Sequence, residues 1–176
     1  MVVFRARHIT LKVASTITIT SASTLPSIFD GATPLTITAA KNVTIVEPEK
    51  ESEKIDQLGI DSNNFQNAQL EEKPTGLAEI SGTLVHDGDE VLEAYYYGAA
   101  SVAGPSGYTR WQVGQGSNQS CALLAYVNDG TKVVSFVLDA ARITKLGEAK
   151  LAADGHMEQD FKAVCLTKNF FKEFKN

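Results

Sequence analysis

Between Ile9 and Ile19 the chain alternates with period two. Ile9, Leu11, Val13, Ser15, Ile17 and Ile19 hold the odd positions, and Thr10, Lys12, Thr16 and Thr18 hold even ones. Successive side chains of an extended strand point to opposite faces, so the pattern predicts one long half-buried strand or a hairpin with a very tight bend. A breaker-rich stretch follows (Leu25, Pro26, Asp30, Gly31, Pro34). A second run then alternates in the same way through Leu35, Ile37, Ala39, Val43 and Ile45. The Thr-rich face suits a solvated strand surface.

The same signal returns further along. Leu77 to Val85 reads as a strand with Ala78, Ile80, Gly82 and Leu84 on one face, and a further strand is centred on Arg110 to Val113. Cys121–Val127 and Lys132–Leu138 are apolar on both faces and joined by Asn128, Asp129 and Gly130, which predicts a hairpin in the middle of the fold. Arg142–Leu151 and Met157–Leu166 form the next hairpin, turned at Asp154-Gly155, with Met157, Phe161, Ala163 and Cys165 facing one way and Glu158, Asp160 and Lys162 the other. One helix is expected. Asp87 is its N-cap, Glu90 completes a capping box, Val91, Leu92, Tyr95 and Tyr96 form the apolar stripe, and Gly98 ends it. Phe170, Phe171 and Phe174 are too apolar to float free and are expected to dock on their own or a neighbouring subunit. The fold class is therefore mainly β: an antiparallel β-sandwich or barrel of eight or so strands with one short flanking α-helix. The chain of 176 residues is read as a single domain.

One segment does not fit the strand rhythm. Glu47, Glu49, Glu51, Glu53 and Asp56 face only Lys50 and Lys54, leaving residues 47–56 at net −3, and Gly59 to Gly76 adds Asp61, Asn63, Asn64, Gln66, Asn67 and Gln69 with few strand formers. A protruding loop at about 47–76 is too long for a simple connection in a compact domain. It is either a mobile surface loop or an arm that reaches a neighbouring subunit. Phe65 and Leu70 in polar surroundings favour the arm, whose candidate contact residues are Glu47, Glu49, Glu51, Glu53, Asp61, Asn64, Phe65, Gln66, Asn67, Leu70, Glu71 and Glu72.

No constellation of residues carries chemistry. His8, His86 and His156 lack ligand spacing and have no Cys partners, so no metal site is expected. Gly114-Gln115-Gly116 lacks the third glycine of a dinucleotide fingerprint and any following Lys-Ser/Thr pair, and Gly104-Pro105-Ser106-Gly107 is no nucleophile elbow. Asp87, Asp89, Glu90 and Glu93 lack the alternation of a calcium loop. No catalytic residue, cofactor or enzymatic activity is expected. Cys121 and Cys165 could form a disulfide on paper, but in a reducing compartment they read as small buried hydrophobes. The lone Trp111 is expected in the core. The N-terminus carries Arg5, Arg7 and Lys12 and lacks the apolar core of a secretory signal, so a cytoplasmic site of synthesis is expected, with no membrane association. A net charge of −5 and a pI near 5.2 argue against gripping nucleic acid, though not against a wall that DNA slides past.

Three stretches resemble the tail tube, or major tail, proteins of long-tailed bacteriophages with non-contractile tails. They are Gly59 to Gly76, Ile80 to Glu93 (Ile-Ser-Gly-Thr-Leu-Val-His-Asp-Gly-Asp-Glu-Val-Leu-Glu), and Ile143-Thr-Lys-Leu-Gly-Glu148 with Ala153-Asp-Gly-His156. The resemblance implies a β-sandwich with a flanking helix, related in architecture to type VI secretion tube proteins. It further implies homohexameric rings that stack into a tube, a long loop crossing between subunits, and partners at the tail tip, tail terminator and tape measure. The virion tail is then the place of action, and genomic DNA passes through the lumen without specific binding. At −5 per subunit a six-membered ring would carry on the order of −30. The competing expectation is a monomeric β-sandwich that binds carbohydrate or protein through the Gly-rich loop around Tyr108 and Trp111. A type VI secretion-like tube subunit is the nearer alternative.

Overall fold

The computed structural model describes residues 9–37, 40–55, 69–86, 92–98, 101–111, 118–128, 130–151 and 157–175. In chain order they form β1 (Ile9–Ala14), α1 (Leu25–Gly31), β2 (Leu35–Ile37), β3 (Ala40–Val46), β4 (Glu49–Ile55), β5 (Gln69–Thr75), β6 (Leu77–His86) and α2 (Glu93–Tyr97). There follow β7 (Ser101–Ala103), β8 (Thr109–Trp111), β9 (Ser120–Asn128), β10 (Val133–Leu151), β11 (Met157–Leu166) and β12 (Phe170–Lys175). Eight strands make one antiparallel sheet in the order β2-β1-β9-β10-β11-β6-β3, with β12 also on β10. The hairpins β4–β5 and β7–β8 are two-stranded sheets of their own. The mainly β, antiparallel sandwich with a flanking helix is as expected.

The 19-residue β10 joins the two halves of the sandwich. Its first part, Val133–Leu138, has β9 on one side and β12 on the other, while Arg142–Leu151 has β11 on the side that β12 leaves. The register with β9 shifts between Leu138 and Ala141, a bulge of the kind that bends and twists a strand. The alternation in the sequence breaks at the same place, where the extra residues reset it. The sheet thereby folds over itself. Leu11, Val13 and Leu123 from one half share a core with Ala78, Ile80, Leu84, Phe161, Ala163 and Cys165 from the other, joined by Leu138, Ala141 and Ile143 of β10. Each fully buried Leu, Ile or Phe side chain contributes about 1.5–3 kcal/mol relative to exposure, which makes this shared core the main force closing the sandwich.

Two runs end earlier than their alternation suggests. The first strand stops at Ala14, and Ile17 and Ile19 pack irregularly beside α1. The run from Leu35 to Ile45 is two strands: β2 pairs with β1, whereas β3 pairs with β6 on the far edge, so the chain crosses between halves there. Asn42, at φ +53°, sits where the β3–β6 register shifts between Lys41 and Thr44. Asn is among the residues that tolerate this left-handed conformation.

The stretch read as breakers contains a second helix, α1. Pro26 lies in its first turn, where the missing N–H costs nothing and the fixed φ favours helix. Leu25 and Phe29, four residues apart, are buried against Ala14, Ala122, Leu124 and Val137, so α1 covers the outer face of the β1–β9–β10 half. Only the C-terminal part of the expected helix is described, as α2, with Leu92 at its N-cap position and Gly98 (φ +67°) ending it. Asp87, Glu90 and Val91 lie outside the described residues. Leu92 is fully buried, and Tyr95 and Tyr96 pack on the main core. The C-terminal aromatic segment docks on its own chain: β12 pairs with β10, Phe170 and Phe171 are half-buried, and Phe174 remains 57% exposed.

Candidate assembly surface

The hairpin β4–β5 pairs Glu49 with Thr75, Glu51 with Lys73, Ser52 with Glu72, Glu53 with Glu71, Lys54 with Leu70 and Ile55 with Gln69. Glu, Lys and Pro are poor strand formers, so nothing in the composition announced it. A lone two-stranded hairpin is in any case marginal in water. Of the expected arm residues, Glu47 lies just before the hairpin, Glu49, Glu51 and Glu53 lie on β4, and Leu70, Glu71 and Glu72 lie on β5. Asp61, Asn64, Phe65, Gln66 and Asn67 lie outside the described residues. Residues 47–76 hold eight carboxylates and three lysines, so this segment carries a net −5, the formal charge of the entire chain. The body of the protein is neutral.

The root of the hairpin is pinned. Glu47 forms a salt bridge with Lys172 of β12, and the Lys172 ammonium lies 5.3 Å from the ring centroid of Phe136 and 5.2 Å from that of Phe174. Each cation–π contact at such a site is worth about 0.5–1 kcal/mol. Together they couple the exit direction of the hairpin to the C-terminal strand.

The outer face of the β3–β6–β11–β10 half is the second part of the surface. Helix α1 covers the corresponding face of the other half; no helix packs here among the described residues. Register defines the face row by row. Leu166 stands opposite Leu77. Val164 sits between Arg142 and Glu79, with Val46 beyond; Lys162 sits between Lys145 and Ser81, with Thr44 beyond. Asp160 faces Thr83, with Lys41 beyond, and Glu158 lies between Lys150 and Val85. Lys162 bonds Glu79 at 2.7 Å, Lys41 bonds Glu158 at 2.7 Å, and the Thr83 hydroxyl donates to Asp160 at 2.8 Å. Exposed pairs of this kind add about 0–1 kcal/mol each, so they order the face more than they hold the fold. Leu77, Leu166 and Val46 are 46%, 55% and 43% exposed, three large hydrophobics gathered at one end of the face.

Both thiols, Cys121 and Cys165, are free and buried. Burial pushes the Cys121 thiol up to about 12, and burial together with the charge of Asp139 pushes Cys165 up to about 11. They pack as small hydrophobes, with the Cys165 Sγ directed at the Leu166 and Asn169 carbonyls. Tyr108 is 73% exposed at the tip of the β7–β8 hairpin, beyond a turn closed by its N–H donating to the Pro105 carbonyl at 3.0 Å. The side chains of Trp111 and His86, and residues His8 and His156, lie outside the described residues. Among the described residues no group of three or more His, Cys, Asp or Glu is placed to hold a metal ion.

No protein-family model matches the chain, and no curated protein matches it. Among solved structures it is similar to the sheath/tube terminator of an extracellular contractile injection system, PVC, determined by cryo-EM in the extended state. The TM-score is 0.51 at 7% sequence identity, covering 100% of this chain and 99% of that one. At that identity the likeness establishes a fold shared from end to end with that protein.

Proposed function

We propose that this chain is a structural subunit of a phage-type tail. It assembles with copies of itself into hexameric rings that stack into the tube through which DNA leaves the particle, and it performs no catalysis. The observation that carries this reading is the end-to-end likeness to a sheath/tube terminator, which spans 100% of this chain and 99% of that one. The separate acidic hairpin and the uncovered sheet face support it. Both are features that a monomer has no need of and that contacts between copies would cover. Head-to-tail contacts that close a rotation give rings, and those that do not close give filaments.

A second reading follows from the same likeness: a terminator-like ring that caps a tube rather than forming its length. Sedimentation velocity across a concentration series separates the two. A tube subunit gives a broad, growing distribution of large species. A terminator gives one discrete ring that does not grow further. A single monomer peak at every concentration would contradict both.

A further inference from the structure

We infer that helix α1 is a latched flap, which docks on the outer face of the β1–β9–β10 half and lifts from it as a unit while the sheet beneath stays folded. The inference is independent of the assembly reading above. At seven residues α1 is too short to be stable by itself. Leu25 and Phe29 are its buried residues. Residues 15–24 before it form neither strand nor helix, and an open cleft of about 440 Å³, lined by Thr16, Ile17, Ser27 and Ile28 among others, lies between that segment and the helix. Two contacts at its ends complete the attachment: Asp30 with Lys12, and the Leu25 N–H with Glu173.

Three features oppose docking. The Lys12 side chain is 12% exposed, whereas Asp30 is 61% exposed. Docking thus withdraws the ammonium from water and leaves Asp30 and the Tyr126 ring, 5.8 Å away, to replace its hydration. Ser135 stands on the same face of β10 as Val137, between Tyr126 of β9 and Glu173 of β12 in register. It is fully buried, and its Oγ has no hydrogen-bond partner among the described residues. A buried hydroxyl left unpaired is penalised, and water satisfies it once α1 lifts. Thr33, in the short link from α1 to β2, has φ +53°. Left-handed backbone is strained for a β-branched residue, and strain of this kind gathers at switch points. Lifting relieves all three. What it gives up is the burial of Leu25 and Phe29 against Ala14, Ala122, Leu124 and Val137. Opposed terms meeting at one short helix are what an element with two positions requires. Docked, the flap seals an apolar sheet face that would otherwise invite non-specific association.

Hydrogen–deuterium exchange of the full chain, read by mass spectrometry over residues 25–32, 121–127 and 133–138, tests this. The α1 amides should exchange at least about 100-fold faster than those of β9 and β10, at a rate that low urea leaves unchanged. Asp30→Asn leaves Lys12 unmatched under the helix and should raise the α1 rate about tenfold or more, with the sheet unmoved. In a Lys12→Met background the same change should alter the rate by less than about threefold, because no buried ammonium remains to be matched. Ser135→Ala removes the unpaired hydroxyl and should slow α1 exchange about threefold or more. Circular dichroism checks that each variant is folded. Exchange of α1 at the rate of the sheet would show that the helix leaves only when the whole molecule unfolds, and overturns the flap. Asp30→Asn accelerating α1 and sheet alike, or acting equally with Lys12→Met, overturns it too, as does Ser135→Ala leaving α1 exchange unchanged or faster.

Discussion

The Glu173 carboxylate of the last strand accepts a hydrogen bond from the backbone N–H of Leu25, the first residue of α1, at 3.0 Å across 148 positions of sequence. Thr24 at the N-cap makes no side-chain capping bond, so Glu173 supplies the acceptor that the helix start lacks locally. At the other end Asp30 pairs with Lys12 of β1. Helix α1 is thus held to the sheet by charge at both ends and by Leu25 and Phe29 between them.

Glu173→Ala should therefore cost about 1 kcal/mol, the usual loss on removing a helix-start acceptor. Glu173→Gln, which keeps an oxygen in place, should cost less. Urea denaturation of the variants under conditions that keep the chain monomeric measures both. Equal loss for Ala and Gln would mean that charge, not the acceptor, matters here.

Gly82 lies on the core face of β6, where an added Cβ would come within 3.1 Å of the Lys41 carbonyl and 3.1 Å of the Phe161 ring. Gly82→Ala forces one of these to move and should destabilise the fold by about 1–3 kcal/mol, as overpacking does. Loss of stability with the fold intact is the expected result. An unchanged denaturation midpoint would show that β3 and β11 separate more readily than their pairing through β6 implies.

The buried thiols set an alkaline limit. Both have folded pKa values above the ordinary 9.0, about 12 for Cys121 and about 11 for Cys165. Above pH 9 the unfolded chain releases these protons while the folded chain keeps them. Stability is then present in full below pH 9 and is lost as pH rises through about 11 to 12. Denaturation midpoints should fall over that window, and replacing both residues (Cys121→Ala, Cys165→Ala) should flatten the fall. In the native chain at pH 8, thiol reagents should react slowly with both and rapidly once denaturant is added.

Much of the sheet was legible because its strands bury one face. Ala78, Ile80 and Leu84 on β6, and Phe161, Ala163 and Cys165 on β11, announce their orientation through period two, and the Asn128–Gly130 and Arg142–Leu166 hairpins follow from short-range turn chemistry. Helix α1 was hidden because Pro26 reads as a breaker when its position in the first turn is unknown, although the spacing of Leu25, Ile28 and Phe29 is helical. The unity of β10 was hidden by a bulge that resets the alternation. The hairpin β4–β5 had no propensity signal at all, since its strands are built from Glu, Lys, Gln and Pro. The candidate surface was legible only in its acidic half. Leu77 and Leu166 are ends of two predicted strands, and Arg142, Lys145 and Lys150 belong to a third. Their common face depends on long-range register, which no local pattern encodes.

Negative-stain electron microscopy of the full chain, beside a variant with residues 49–75 replaced by a short Gly-Ser linker, asks whether the chain assembles through its hairpin. The full chain at high concentration should show stacked rings with sixfold end views and a central channel, and the linker variant should stay folded and give only dispersed single particles. Normal tubes from the linker variant would show that the hairpin plays no part in assembly, and a field of monomers from the full chain at every concentration would show that the chain does not self-assemble.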